Sequence, residues 1–493
     1  MSVAGEVEAA STTQVHPKDV PEDSTRAFRD YLAVRDRTIR VPHDRARQRL
    51  HGSTVLVTGA AGCIGRALLR ELAAHAPGRV VGVGLEERPE LPDGTAHHRL
   101  DIRDRDALIR LFRRTRPDLV FHLAAQRDPG LAEREVARTV TTNVLGTRNV
   151  IDACTATGVR QLVYASTGKA LRPYTSDVYA QTKRTGEWLV ADAATRGTLP
   201  SAAVRFTHVV DNAIVLDRFR TWCRTGEPLR VHGRHTTFYV QSARESAQLL
   251  LTAALAGRDE QFRLYAIHDL GWPVGLYDLA LGAVAESGRP ARIDVVGHEP
   301  GYEKQPYPGL YDPRHCADLS PLINALEAPT AVPGPGGDVD CAIGRAPLTP
   351  ELRARLDHLA WVCGRTARQD EIRGVFDSLA WGLLNHTVAT AEPESVRRVA
   401  RLTAPHRPHM SEEHLRIDGL FRKHAGLPPT SDAPLGSDGL SASDVPVSSG
   451  APSASGPPRV SGPPAVPGLQ AVSDLPPASD EATAKGGPHA AAA

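Results

Sequence analysis

Two short stretches carry residue types and spacings that could do chemistry. In Val55-Leu-Val-Thr-Gly-Ala-Ala-Gly-Cys-Ile-Gly65 an apolar run turns through Gly59, Gly62 and Gly65 into a helical pattern, and far downstream stands Tyr179-Ala-Gln-Thr-Lys183. Glycines at that spacing let the chain turn tightly, let a pyrophosphate approach the backbone and keep the helix close to the strand. The opening helix turns its unpaired N–H groups and positive dipole end toward the phosphates. Gly59, Ala61, Gly62, Cys63, Ile64 and Gly65 are therefore candidate contacts for a dinucleotide. Tyr179 and Lys183 lie one helical turn apart and face the same side. A phenol, with an ordinary pKa of about 10, is a weak base at neutrality. A neighbouring ammonium and an oxidised nicotinamide both favour phenolate, which would let Tyr179 take a proton from a sugar hydroxyl. Lys183 would also hold the nicotinamide ribose.

Just upstream lies Ser166-Thr-Gly-Lys169, at the carboxyl end of an expected strand, where sheets of this kind bind ligands. Thr167 could donate to the oxygen that Tyr179 deprotonates. Lys169 reads either as a general base or as an electrostatic anchor. Other strand ends supply candidate cofactor contacts. Asp101 and Ile102 would flank an adenine, and Leu123, Ala124 and Ala125 would pass beneath the cofactor. Glu86 would accept from both ribose hydroxyls and repel a 2′-phosphate, favouring NAD, although Arg88 close by leaves NADP possible. Asn143, inside a helix pattern, reads as a prop for a neighbouring strand and is counted with the cofactor contacts. Thr167, Gly168, Arg205 and His208 are the candidate substrate contacts.

These residues need a scaffold, and the chain alternates strand and helix from Ser53. Strands are expected at Val55–Thr58, Val80–Leu85, His98–Leu100, Leu119–Leu123, Gln161–Ala165 and Ala202–Phe206. Amphipathic helices fall between them, at Arg105–Arg114, Val136–Thr155 and Tyr179–Ala194. Such alternation implies right-handed crossovers and a doubly wound parallel sheet, an α/β fold. Residues 1–25 read as a disordered leader and 26–51 as a helical arm. Residues 52–206 form the dinucleotide-binding domain, and the Pro-, Gly- and His-rich stretch 207–346 is a smaller substrate subdomain. Thr349-Pro350 caps a helical extension over 347–425, expected to pack on the main domain or a second subunit. The Pro/Ser/Ala-rich stretch 426–493 has too little apolar surface to offset its ordering entropy and reads as a disordered tail.

Composition narrows the class. A net charge of +1 over 493 residues gives no general attraction to nucleic acid or anionic membrane. No stretch approaches the apolar length of a membrane span. The six cysteines are scattered without CxxC spacing, as in a cytoplasmic protein with reduced thiols. His406, His409 and His414 do not suit a common metal site, and no metal is expected.

Taken together the motifs resemble the extended short-chain dehydrogenase/reductases, specifically the CapD-like polysaccharide-biosynthesis branch of nucleotide-sugar 4,6-dehydratases and epimerases. The resemblance covers about residues 29–345. It rests on Thr58-Gly-x-x-Gly-x-x-Gly65, Asp101-Ile-Arg-Asp104, Pro117-Asp-Leu-Val-Phe-His122, Thr142-Asn-Val-Leu-Gly-Thr-x-Asn149, Ser166-Thr-Gly-Lys-Ala170, Tyr179-x-x-x-Lys183 and Val204-Arg-Phe206, with a fainter echo in Pro300-Gly-Tyr-Glu-Lys304. It implies a Rossmann-type sheet, a nicotinamide cofactor, a nucleoside-diphosphate sugar substrate and a homo-oligomer. The implied reaction is transient oxidation at C4 serving epimerisation or dehydration. Two departures bear on it: the family's dehydratases carry an acid where this chain has Gly168, and Phe238 falls where the family has a diphosphate-gripping arginine. A simple sugar dehydrogenase and a catalytically silent dinucleotide-binding protein are the competing readings.

Overall fold

The computed structural model describes residues 11–212, 214–255, 261–298, 321–344 and 348–428. The chain enters through strand β1 (Ser11–Val15), helix α1 (Glu22–Ala33) and helix α2 (His43–Leu50). Residues 11–25 therefore correct the expected leader. Polar in sequence, β1 gains order by pairing antiparallel with a distant strand over five residue pairs, Ser11↔Val295 to Val15↔Ala291. Backbone hydrogen bonding to a partner more than 250 residues away leaves no local periodicity to read.

The alternating part follows the order β2 (Thr54–Thr58), α3 (Cys63–Ala73), β3 (Arg79–Gly84), β4 (Thr95–Arg99), α4 (Arg105–Thr115), β5 (Leu119–His122), α5 (Pro129–Arg134), α6 (Val136–Val140), α7 (Gly146–Thr157), β6 (Gln161–Thr167), α8 (Val178–Thr195) and β7 (Ser201–Phe206). β2 reads as a continuous apolar run because it is central in the sheet and buried on both faces. The helix expected over Val136–Thr155 is instead two helices joined by a π-turn at Thr141–Leu145. Such turns recur at functional sites.

The stretch expected as a smaller subdomain adds β8 (His208–Val209), α9 (Ile214–Thr225), β9 (Leu229–Val231), β10 (Thr237–Phe238), β11 (Val240–Gln241), α10 (Ala243–Ala254), β12 (Arg263–Ile267), β13 (Val274–Gly275), α11 (Leu276–Ser287), β14 (Ala291–Val295), β15 (Val332–Pro333) and β16 (Val339–Ile343), of which β12, β15 and β16 join the main sheet. Among the described residues the main sheet runs β15-β16-β12-β7-β6-β5-β2-β3-β4. Every neighbouring pair from β12 to β4 is parallel, and β16 and β15 add antiparallel at one edge. The strand order reverses between β2 and β5, which opens a crevice at their carboxyl ends. β1, β14 and β9 form a separate small sheet.

One core lies between one sheet face and α4, α7 and α8; the other lies between the opposite face and α2, α3 and α10. α10 begins with a reciprocal capping box between Ser242 and Glu245. The chain closes with α12 (Pro350–Arg365), α13 (Gln369–Thr390), α14 (Pro393–Thr403) and α15 (Glu412–His424). Thr349 accepts from the Leu352 N–H at the start of α12. Leu352, Leu356 and Leu359 then bury into the same core as α8. α8 is consequently buried almost all round, its outer side covered by α5–α7 and α13 of its own chain. The motif Pro300–Lys304 and the tail beyond Pro428 lie outside the described residues. No helix among the described residues is long and apolar enough to cross a membrane.

Candidate active site

β2 ends in a glycine that no other residue can replace. Gly59 has φ +71°, and a Cβ there would lie 2.7 Å from the Ala124 nitrogen and 2.9 Å from the Leu123 carbonyl carbon. Leu123, Ala124 and Ala125 thus run directly against the glycine turn. Gly65 faces the Ala60 oxygen, which a Cβ would approach to 2.6 Å. Gly62 is the N-cap of α3: it offers no capping side chain, and the first turn contains no acidic residue. By contrast Asp104, Asp128 and Asp177 each cap their own helices. The first turn of α3, with Cys63 and Ile64, is left as an anion cradle beside an exposed Gly62, and these residues fit a dinucleotide pyrophosphate. Replacing Gly59 by Ala should abolish dinucleotide binding, since it forces a positive φ costing about 1–2 kcal/mol and a backbone collision as well. Titration of the variant with NAD checks this, and retained affinity would remove the elbow from the site.

A buried relay fixes the floor of this crevice. Thr147 donates to the Asn143 carbonyl at 2.7 Å and accepts from His122 Nε2 at 3.0 Å. Nε2 therefore carries the proton, and His122 Nδ1 accepts from Thr58 Oγ1 at 2.7 Å. The Thr58 oxygen in turn accepts from the Leu123 and Ala124 amides, both at 3.2 Å. Burial, reinforced by the Lys183 charge, drives the His122 pKa down to about 3 and keeps it neutral. Thr147 lies in the Thr142–Asn149 motif, but its partnership with His122 is not legible there, because only the fold brings α7 against β5.

Tyr179 and Lys183 lie on α8, which packs on β6, and the Thr167 side chain at the end of β6 is near enough to the Tyr179 phenol to act on its ionisation. Burial raises the Tyr179 pKa to about 12; Thr167 and Arg127 oppose the rise, while Asp177 adds to it. Lys183 is not among the groups acting on it, whereas the sequence predicts that the ammonium and an oxidised nicotinamide together favour phenolate. Lys183 is itself desolvated, 4% exposed, with its pKa lowered to about 7 by burial against the opposing pull of Glu187. Its ammonium sits 4.3 Å from the centre of the Tyr164 ring, a cation–π contact. Gly186 is the residue that lets this ring sit under α8.

The sign of the Lys183 shift gives a pH prediction. A lysine held below its unfolded pKa binds fewer protons folded than unfolded, so stability rises with pH above about 7. Buried thiols such as Cys154, raised by desolvation, oppose this once unfolded thiols ionise near pH ~8.5. Between pH ~7 and ~8 the ligand-free protein should gain stability with pH, and Lys183→Met should flatten that slope; parallel denaturation midpoints for both proteins would sink the assignment.

The remaining candidates separate. Lys169 Nζ lies 3.7 Å from Asp177 Oδ2, so it is tied to the start of the Tyr179 helix. Gly168 is closed over by Leu322, whose Cδ2 would lie 2.7 Å from any Cβ at 168. Glu86 is exposed at the end of β3, and its carboxylate folds back over Gly84. The Asp101 carboxylate takes the Arg103 backbone N–H and guanidinium; burial raises its pKa, but Arg103 prevails and holds it low. Ile102 packs its side chain on α7 at Gly146. His208 packs against Phe238 with ring centres 4.9 Å apart and planes inclined at 55°; burial lowers its pKa to about 4, and its Nε2 has no partner among the described residues.

Two calls are corrected. Asn143 is a brace, not a cofactor contact: its amide donates to the Gln126 carbonyl and Thr182 Oγ1 and accepts from the Gln126 N–H. Arg205 is not a substrate contact. Its guanidinium is fully buried and makes five hydrogen bonds, to Glu187, Glu327 and the Leu322 carbonyl. A guanidinium has five N–H donors, so none remains. Sequence could not show this because Glu327 arrives from 122 residues away.

The crevice at the strand-order reversal, the glycine elbow and the Tyr179–Thr167 pair define a Rossmann-type protein of the short-chain dehydrogenase/reductase class. Residues 55–306 match the family described as polysaccharide biosynthesis protein, and the chain belongs to that family. It is 29% identical over 269 residues to the probable polysaccharide biosynthesis protein EpsC of Bacillus subtilis, covering 51% of this chain and 44% of that one. It is 30% identical over 271 residues to the capsular polysaccharide biosynthesis protein CapD of Staphylococcus aureus, with the same two coverages. The chain thus spans under half the length of these curated relatives. The solved structure of Pen from Bacillus thuringiensis shares the fold at a TM-score of 0.50 and 21% identity, over 61% of this chain and 90% of that one.

Proposed function

We propose that the protein is an NAD-dependent enzyme that transiently oxidises C4 of a nucleoside-diphosphate sugar, with C4 epimerisation the favoured outcome. The observation that carries this is the Tyr179–Thr167 hydroxyl pair at the end of β6, on the helix that also bears the buried Lys183. Gly59, Gly62, Cys63, Ile64, Gly65 and Glu86 would hold the dinucleotide, Glu86 selecting against a 2′-phosphate. When bound, it supplies the acceptor for the C4 hydride. Tyr179 accepts the hydroxyl proton, Thr167 donates to the same oxygen, and Lys183, one turn along α8, would hold the nicotinamide ribose. His208 and Phe238 form an aromatic wall suited to the sugar nucleotide. Elimination of water would want an acid at position 168; Gly168 offers none, and Leu322 takes the space. Relatives named for capsule and polysaccharide biosynthesis fit a sugar-nucleotide substrate. The thiols of Cys63, Cys154, Cys223 and Cys363 are free, which supports a cytoplasmic place of action.

The test offers the NAD-loaded full chain UDP-glucose, UDP-N-acetylglucosamine and dTDP-glucose in heavy water. C4 inversion without deuterium at C5 is the expected result. Deuterium uptake at C5 with loss of water would replace epimerisation by dehydration. An unaltered sugar and an unreduced cofactor across the panel would sink the redox reading.

A further inference from the structure

The segment 172–178, which joins Lys169 to the Tyr179 helix, is held at successive points by the C-terminal helices. Tyr174, 4% exposed, donates its hydroxyl to Asp377 of α13 and packs edge-on against Trp381 at 5.1 Å. The Arg416 guanidinium of α15 covers that indole at 3.7 Å. The Ser176 amide donates to Glu413 of α15 at 2.9 Å. Arg373 of α13 donates to the Ser176 carbonyl at 3.5 Å, to the Glu133 carbonyl at 3.2 Å and to the Glu133 carboxylate at 2.7 Å. The other oxygen of that carboxylate takes the Val178 amide at 2.8 Å, the first N–H of α8. At the far end of α8, Asp192 pairs with Arg353 of α12 at 3.0 Å.

We propose that α12–α15 are a brace for the active-site segment, with Arg373 and Glu413 as positioning residues that fix the start of the Tyr179 helix. The claim rests on the Tyr179 reading for its catalytic consequence, although the brace itself does not. Thr175 anchors part of the segment, taking the Asp177 amide at 3.2 Å and donating its own amide to Gln181 at 3.1 Å, whereas Ser176 is exposed and its amide and carbonyl go to Glu413 and Arg373. Asp177 caps α8 through the Ala180 amide and also pairs with Lys169, so a shift at 176–178 displaces Lys169 and Tyr179 together. Displacements of about 1 Å at a reacting group cost up to about a hundredfold in rate.

The experiment compares Arg373→Met, Arg373→Lys, Glu413→Ala and an outer-surface control, Glu394→Ala, in the full NAD-loaded chain. Amide exchange at Ser176–Ala180 should quicken about tenfold in Arg373→Met and Glu413→Ala, with exchange elsewhere in α3 and α8 and NAD affinity unchanged. Turnover of UDP-glucose should fall about tenfold or more in kcat with little change in KM, and Arg373→Lys should recover part of it. The control should match wild type in both. Unchanged exchange at Ser176–Ala180 would overturn the brace, as would a uniform quickening across the protein. If wild type turns over no sugar nucleotide, the catalytic reading falls while the exchange result still decides the brace.

Discussion

Tyr179→Phe should reduce sugar-dependent cofactor reduction by about 10²–10⁴-fold while leaving NAD affinity within about twofold of wild type. The substitution removes one oxygen, the one that Thr167 acts on, and leaves the glycine elbow untouched. Its measurement is the appearance of reduced-nicotinamide absorbance on adding sugar nucleotide to the loaded protein. The loss should fall on kcat and kcat/KM alike, because phenolate character is needed as the proton moves and not for ground-state binding. The phenol is raised to about 12 by burial in the absence of ligand, so a cationic nicotinamide is the natural source of the missing pull. Unchanged turnover would show that another base does the work and would remove the Tyr–Lys pair from its role.

Arg205→Ala should destabilise the protein by about 3–5 kcal/mol, the largest stability effect expected of one substitution here. The change leaves Glu187 and Glu327, 3% and 8% exposed, sharing the Arg184 cation at 2.8 and 3.2 Å, with the Ser166 hydroxyl and the Asn324 amide as neutral donors. Glu327 is raised by burial but held below its ordinary value overall by Arg205 and Arg184, so its contribution is present above the unfolded carboxylate pKa and lost as pH falls through the folded one. Chemical denaturation of the variant, and of Arg205→Met combined with Glu327→Gln, measures the effect. The double change should recover much of the loss, since Arg184 then pairs with Glu187 at 2.8 Å and no buried charge is left unpaired. A variant of normal stability but raised KM would restore Arg205 to the substrate site.

The parts legible in the sequence were those made from neighbours along the chain. The β2–α3 elbow, the Tyr179–Lys183 spacing and the Thr349 cap each depend on residues within about ten positions, where glycine φ, helical period and capping chemistry act directly. The strand at Ser11–Val15 was illegible because its order comes from pairing alone. The π-turn that aims Asn143 at Gln126 and Thr182 interrupts a pattern that reads as one helix. Arg205 has the same type and strand-end position as a substrate ligand, and only the arrival of Glu327 shows its donors are spent.

From the amino-acid order alone came the doubly wound sheet, the glycine elbow and the one-turn spacing of Tyr179 and Lys183, because each is a local pattern with a local physical cause. The tertiary structure alone decided which side chains are free to act. It committed Arg205 and Asn143 to the scaffold, tied Lys169 to Asp177, closed Leu322 over Gly168 and laid Arg373 and Glu413 against the segment before Tyr179. Those outcomes depend on desolvation and on partners tens to hundreds of residues away, and neither burial nor a distant partner is written into the spacing of nearby residues.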